Sequence, residues 1–315
     1  MSIPKTERKI PKKFLDLYYK QGYRIVGKHQ HSAVKICRWA RESLRHDRTC
    51  FKQKWYGIES HRCLQCTPAL FWCTHGCEFC WRAVSATLGS DMKGFPIDEP
   101  AEIIEGLIKY QKLLLTGFKG NFKVDKKKWK EAQNPTNAAI SLAGEPTLYP
   151  KLSELIKEFH KRKMTTFLVT NGTMPERLKS LEKEPTQLYI SLCAPDEETY
   201  RKIHNPLIRG GWKKLNESLE LMNSFDCKTV IRLTLVKNLN MKSTEKYAKL
   251  IEKANPDFIE PKGYMWVGES QNRLKKENMP FHEDVVSFAK ELEEFTAYKI
   301  KDDFKPSRVV LLTRK

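Results

Sequence analysis

Hydrophobic and polar positions follow two rhythms along this chain. From about residue 69, short apolar runs alternate with segments whose apolar residues return every three or four positions. The first rhythm predicts buried strands and the second amphipathic helices. Ala69–Trp72 predicts a short strand leading into a cysteine loop. Ile97–Leu115 places Ile103, Ile104, Leu107 and Ile108 on one helical face. Further strands are predicted at Ala138–Leu142, Thr165–Thr170, Gln187–Leu192 and Thr229–Val236, from Asp257–Ile259 onward, and at Val309–Leu312. Helices are predicted at Leu152–Lys163, Pro175–Leu181, Glu197–Ile203, Trp212–Met222, Thr244–Ala254 and Glu283–Phe295. Strands alternating with helices imply βαβ units and a parallel sheet. About six such units predict an α/β chain built as an incomplete, TIM-like (β/α)6 barrel. Residues 1–68 show little clean periodicity. They read as a basic, Cys-rich N-terminal extension, with residues 69–315 as the partial barrel and a C-terminal extension. Thr116–Gln133 breaks the rhythm with Lys119, Lys123, Lys126, Lys127, Lys128 and Lys130, and reads as an exposed insertion.

Composition narrows the class. The chain has 315 residues, 40% of them hydrophobic, with 15 Gly and 16 Pro, which excludes disordered and fibrous chains. No apolar run approaches the ~20 residues that span a bilayer. The opening MSIPKTERKIPKKF has no signal-like apolar stretch, so a cytoplasmic protein without a membrane partner is expected. The net charge of +19 suits a polyanionic partner such as nucleic acid. A basic enzyme with a solvated surface fits the charge equally well.

The cysteines say more. Of nine, seven fall between residues 37 and 80. An odd count in a long chain with no secretory signal argues against a disulfide framework and for metal. Cys73-Thr-His-Gly-Cys77-Glu-Phe-Cys80 is a C-x3-C-x2-C loop at the end of the first predicted barrel strand, where barrels place their active sites. Three clustered thiolates leave one metal position open for chemistry. Gly76 is expected to supply backbone freedom between the first two. The other reading is structural zinc on Cys63-x2-Cys66 and Cys77-x2-Cys80, which leaves Cys73 without a role. After the second barrel strand, Gly144 would let backbone approach a ligand, and Glu145 offers a carboxylate to an ammonium group. Asn171, Ser191 and Arg232 end later strands with polar groups. Cys37, Cys50 and Cys63 are spaced thirteen apart, too far for one turn, and could be scattered buried thiols.

The C-x3-C-x-Φ-C form, with Phe79 before its last Cys, resembles the radical S-adenosylmethionine (SAM) superfamily. That resemblance implies a radical SAM barrel with a 4Fe–4S cluster on Cys73, Cys77 and Cys80. It also implies SAM contacts at Phe79, Gly144, Glu145, Asn171, Ser191 and Arg232. The stretches CRWARESLRHDRTCFKQKWYGIESHRCLQCTP, SLAGEPTLYP, LVTNGTMPERL, QLYISL, IRLTLVK, NPDFIEPKG and GES go further. They resemble the archaeal 4-demethylwyosine synthases, tRNA-modifying radical SAM enzymes of wybutosine biosynthesis, over roughly residues 30–315. This likeness implies that tRNA-Phe carrying 1-methylguanosine at position 37 reacts with pyruvate to give a tricyclic base. It implies a second 4Fe–4S cluster on Cys37, Cys50 and Cys63, and a Schiff-base lysine at Lys52. Without the flavodoxin-like domain of eukaryotic relatives, an external electron donor of ferredoxin or flavodoxin type and a monomeric enzyme are expected. The pattern departs from the family at Cys66 and Cys193. Lys126, Lys127, Lys128, Arg209, Lys213 and Lys214 are candidate phosphate contacts. Trp81, Lys262, Tyr264, Trp266 and Glu269 are candidates at the barrel mouth. A radical SAM activase of a protein partner and a zinc-stabilised RNA-binding module without catalysis are the competing readings.

Overall fold

The computed structural model describes residues 8–314, which form two compact units: 8–72 with 91–168, and 73–90 with 169–314.

In the first unit, helix α1 (Lys12–Lys20) precedes the antiparallel pair β1 (Arg24–Val26) and β2 (Ser32–Val34). Two short helices follow, α2 (Arg38–His46) and α3 (Phe51–Tyr56), then strand β3 (Cys63–Thr67). Helix α4 (Pro100–Thr116) starts with Pro at its first turn, where a missing N–H costs nothing. It buries Ile103, Ile104, Leu107 and Leu115. Helix α5 (Lys126–Ala132), strand β4 (Asn137–Ile140), helix α6 (Leu152–Lys161) and strand β5 (Thr165–Thr170) complete it. β2 runs antiparallel to β3, while β3, β4 and β5 are parallel, with Cys63 opposite Asn137 and Asn137 opposite Thr165. All four residues of β4 are buried, as a strand covered on both faces requires.

In the second unit, helices α7 (Pro175–Lys179), α8 (Glu197–His204), α9 (Gly211–Leu221), α10 (Thr244–Ala254) and α11 (His282–Phe295) alternate with strands. Strands β6 (Gln187–Ser191), β7 (Lys228–Leu235) and β8 (Phe258–Gly263) are parallel. The hairpin β9 (Tyr298–Phe304) and β10 (Val309–Arg314) closes the order β6-β7-β8-β10-β9, with β10 antiparallel to both neighbours. Among the described residues, each unit contains three parallel strands with helical crossovers, the βαβ pattern expected from the sequence.

The observed elements differ from the sequence reading at three places. The first parallel strand is not Ala69–Trp72 but β3, a few residues earlier; the apolar run is buried without strand pairing. In the N-terminal region, where the sequence shows little clean periodicity, α2 and α3 span nine and six residues, each shorter than the window over which a helical period declares itself. Strand β9 was missed because its sequence YKIKDDF is charged, as suits an edge strand. Among the described residues, no helix is long and apolar enough to cross a membrane.

Candidate active site

In the second unit, the loop Cys73–Cys80 is pinned by backbone. Gly76 N–H donates to the carbonyls of His204 (2.9 Å) and Asn205 (3.1 Å), and Glu78 N–H to that of Ile203 (2.9 Å). Cys73 N–H donates to Gly89 (3.1 Å) and Cys80 N–H to Cys77 (3.1 Å). The loop therefore rides on the C-terminal end of α8. Gly76 is not needed for its conformation. Its φ lies outside the left-handed region, and a Cβ there would meet Val84 at an ordinary 3.4 Å. That expectation is withdrawn.

Side chains from α8 reach the sulfurs. His204 Nδ1 lies 3.1 Å from Cys77 Sγ, and the His75 and His204 rings stack at 4.6 Å. His75 Nε2 bonds Tyr200 Oη at 2.6 Å. Burial holds His204 down at about 3, and burial aided by His204 holds His75 well below the ordinary histidine value. Both rings are therefore neutral at physiological pH, and His204 can donate Nδ1–H to a thiolate. Burial, then the charges of Cys80 and Cys73, pushes the Cys77 thiol well up, which places the three sulfurs in one neighbourhood. Phe79 packs edge-on to His204 at 5.7 Å. Asn171 Nδ2 donates to Thr74 Oγ1 (2.7 Å) and approaches Cys73 Sγ at 3.9 Å. Arg273, missed in the sequence, donates to the carbonyls of Glu78 and Cys80.

Arg232 sits opposite Ser191 and Glu260 in the β6–β7–β8 register. Its guanidinium lies 4.5 Å over the Tyr189 ring and donates from Nε (3.1 Å) and Nη2 to the fully buried Glu260. Tyr189 Oη donates to the same carboxylate at 3.2 Å. Cys193 is fully buried and accepts the Thr234 N–H at 3.4 Å.

In the first unit, Gly144 is required. Its φ is +70°, and a Cβ would stand 1.9 Å from the Ala69 carbonyl oxygen and 2.8 Å from that of Trp72. Glu145 N–H donates to Trp72 O at 2.8 Å. The Glu145 carboxylate is buried and accepts from Thr147 N–H (3.1 Å) and Oγ1 (2.6 Å). A rigid backbone step with a fixed carboxylate fits a ligand bearing an ammonium group.

The three cysteines spaced thirteen apart also converge here. Cys37 caps α2, its Sγ accepting Ala40 N–H at 3.2 Å; Cys50 precedes α3, and Cys63 opens β3. Cys37 is lowered to about 7, first by its hydrogen bond with Cys63, while Cys63 is raised well above its ordinary value by the same bond and by burial. Cys50 and Lys52 both lie near enough to perturb Cys63. Lys52, 8% exposed, holds its Nζ 4.2 Å from the Phe167 ring centroid. Sulfur donors at two helix N-termini, where thiolates are favoured, fit a metal cluster. Cys66 does not join them. Three residues apart on β3, Cys63 and Cys66 point to opposite faces, so they cannot act as a zinc-ribbon pair. Burial raises the Cys66 thiol.

The remaining candidates divide by exposure. Lys126, Lys127, Arg209 and Lys213 are exposed. Lys128 is ion-paired with Asp47, and Lys213 with Glu217 at 3.9 Å. Lys214 and Trp81 are half-buried. Lys262 Nζ donates to Ser307 O at 2.6 Å. Tyr264 is 2% exposed and donates to Ser270 Oγ, so its ring is core rather than a stacking surface. Half-buried Trp266 donates Nε1–H to Leu274 O at 2.8 Å. Glu269 accepts from Asn272 at 2.9 Å, and its N–H donates to Trp81 O.

Comparison with known proteins assigns the class first. Residues 68–251 match the radical SAM superfamily, and residues 253–314 match a family described as wyosine base formation. A protein of Pyrococcus horikoshii is 56% identical over 97% of this chain and 90% of its own length, and one of Methanocaldococcus jannaschii is 44% identical over 96% of each. Both are named S-adenosyl-L-methionine-dependent tRNA 4-demethylwyosine synthase. A solved structure described as TYW1 with a lysine-pyruvate adduct bound superposes with a TM-score of 0.88, at 42% identity over 98% of this chain and 97% of that one. A crystal structure of archaeal TYW1 gives 0.79 at 38% identity over 97% and 96%. The chain belongs to the tRNA 4-demethylwyosine synthase family of radical SAM enzymes.

Proposed function

We propose that this enzyme joins pyruvate to 1-methylguanosine-37 of tRNA-Phe, forming the tricyclic base 4-demethylwyosine. The observation that carries this reading is a buried lysine, Lys52, gathered with Cys37, Cys50 and Cys63 in a chain of this family. The radical SAM activase and the zinc-stabilised RNA module are not favoured by the relatives, and the strand geometry of Cys63 and Cys66 removes the zinc ribbon.

Cys73, Cys77 and Cys80 would hold a 4Fe–4S cluster, and Cys37, Cys50 and Cys63 a second. When bound, the first cluster and SAM together supply a carbon radical able to take a hydrogen atom from the N1-methyl group. Glu145 would accept a hydrogen bond from the ammonium of SAM, and the Gly144 step would let backbone come close to it. Asn171, tied to Thr74, would offer a polar group to SAM beside the cysteine loop. Ser191 and the Arg232–Glu260 pair would offer further polar contacts, and Phe79 packs edge-on against His204. Lys52 attacks the keto carbon of pyruvate, with loss of water to a Schiff base, which fixes the co-substrate for carbon–carbon bond formation.

Residues 1–68 serve as the extension that supplies the second ligand set, and 69–315 as the catalytic partial barrel. Because Cys63 opens β3, that ligand set is built partly into the parallel sheet. Lys126, Lys127, Arg209 and Lys213 provide exposed charge for tRNA phosphates, as would the N-terminal basic residues, of which those before residue 8 lie outside the described residues. A cytoplasmic monomer served by a ferredoxin- or flavodoxin-type donor completes the reading. The test is anaerobic turnover with SAM, reductant, pyruvate and tRNA carrying 1-methylguanosine. Formation of 5′-deoxyadenosine and a tricyclic base is expected; absence of both refutes the function.

A further inference from the structure

The lysine-rich segment after α4 is more than an exposed insertion. Phe118 and Val124 turn inward and join Ile36, Ala40, Leu44, Leu115 and Ala132 in one apolar cluster. Trp129 packs on that cluster, and its Nε1–H donates to Leu115 O at 2.9 Å. Asp125 caps α5, accepting the N–H groups of Lys127 (2.8 Å) and Lys128 (3.0 Å). The segment is therefore anchored at several points.

On this anchored platform Phe122 is 92% exposed, whereas the other large exposed hydrophobics lie between 36% and 64%. A lone exposed apolar residue is ordinary. Phe122 is not alone. It lines an open cleft of about 520 Å³ with Trp129 and Val124, and Lys119, Lys126 and Lys130 stand around it. That volume lies within the range of small-ligand sites. Lys123 Nζ is 5.7 Å from the Phe122 ring centroid, and Lys119 Nζ is 5.8 Å from that of Trp129. Among the described residues, no carboxylate lines the cleft. The neighbouring Asp125 faces the start of α5, and Asp47 engages Lys128.

Aromatic walls ringed by flexible point charges are how proteins hold unpaired nucleotides: the ring takes the face of any base, and the lysines follow the phosphates. We propose that this cleft binds an unpaired nucleotide of the tRNA substrate, its base stacked on Phe122 and its phosphates held by Lys119, Lys123, Lys126 and Lys130. The proposal rests on the tRNA reading above and adds to it a stacking residue.

The test measures binding of 1-methylguanosine-containing tRNA to the anaerobically reconstituted full chain across a salt series. Phe122→Ala should weaken binding about 5- to 150-fold, the range of one stacked base, with an unchanged salt slope. Phe122→Trp should restore it. Lys119→Ala, Lys123→Ala and Lys130→Ala combined should flatten the salt slope by about two units. Failure of the wild-type chain to bind tRNA would remove the tRNA reading and the cleft together. Binding by the wild type with equal binding by Phe122→Ala would remove the cleft alone. Competition by polyglutamate as strong as by tRNA would make the cleft a site for acidic protein and overturn the proposal.

Discussion

The two cysteine sets reach their geometry by opposite routes. Cys73, Cys77 and Cys80 lie within eight residues, and their loop is fixed by backbone bonds to the end of α8. Cys37, Cys50 and Cys63 come from the starts of two helices and a strand, separated by thirteen residues each time. The first set would keep its spacing in almost any fold. The second exists only because α2, α3 and β3 pack as they do. A contiguous set can therefore serve many chemistries across a superfamily. A dispersed set, with Lys52 in the first turn of α3, is tied to one architecture.

The largest expected effects separate the two sets. Cys73→Ala should abolish 5′-deoxyadenosine formation altogether. Cys50→Ala should leave SAM cleavage running but lose the tricyclic base. Each should remove about four of about eight irons per chain. Full iron in Cys50→Ala would show that the dispersed set holds no cluster, and the contrast would collapse. Lys52→Ala should retain iron and SAM cleavage yet lose product and the adduct trapped by borohydride with pyruvate. An intact adduct, seen by mass spectrometry, would move the Schiff base elsewhere.

The next effect is on stability. Gly144→Ala sets a Cβ 1.9 Å from the Ala69 carbonyl at a positive φ, so the backbone must move. A cost of about 2–4 kcal/mol follows, lowering the melting temperature of the metal-free chain by about 3–6 °C. An unchanged melting temperature would mean that the loop can flex. Smaller still is His204→Ala. The backbone bonds that pin the contiguous loop survive it, so iron content should hold, while loss of the Nδ1–H···S bond should shift the cluster to a more negative potential. An unchanged potential in anaerobic titration would deny His204 that role.

This contrast also explains what could be read in advance. Thr165–Thr170 and Thr244–Ala254 were predicted at their observed limits because strong periodic segments declare themselves. The contiguous loop and the Gly-Glu step were legible from local spacing. His204, by contrast, is 127 residues from Cys77, and no local pattern joins them. The dispersed set came only through family resemblance, since thirteen-residue gaps carry no geometric instruction. For Tyr264 the sequence leaves a place at the barrel mouth and a place in the core equally open, because it does not reveal that the hydroxyl finds Ser270 within the core.

The smallest expected effect concerns what holds the dispersed set in place. His31 is fully buried beside β2, with Nδ1 2.7 Å from Pro68 O at the end of β3 and Nε2 accepting Asp98 N–H at 2.8 Å. That pattern demands a neutral ring with its proton on Nδ1. Protonation would turn Nε2 from acceptor to donor against a backbone N–H. Burial accordingly lowers the His31 pKa, despite the nearby Asp98 carboxylate, which favours the charged ring. With the folded value below the unfolded ~6.5, the unfolded chain takes up the proton first. Stability is then fully present above pH ~6.5 and is lost as pH falls below it, by up to about 1.4 kcal/mol per unit. Urea unfolding of the metal-free chain at pH 7.5 and 5.5 isolates this term by comparison with His31→Gln, since His75 and His204 titrate alike in both. The wild type should lose more stability than the variant over this interval. Equal losses would show that the clamp on β3, and with it the seat of Cys63, owes nothing to a neutral His31.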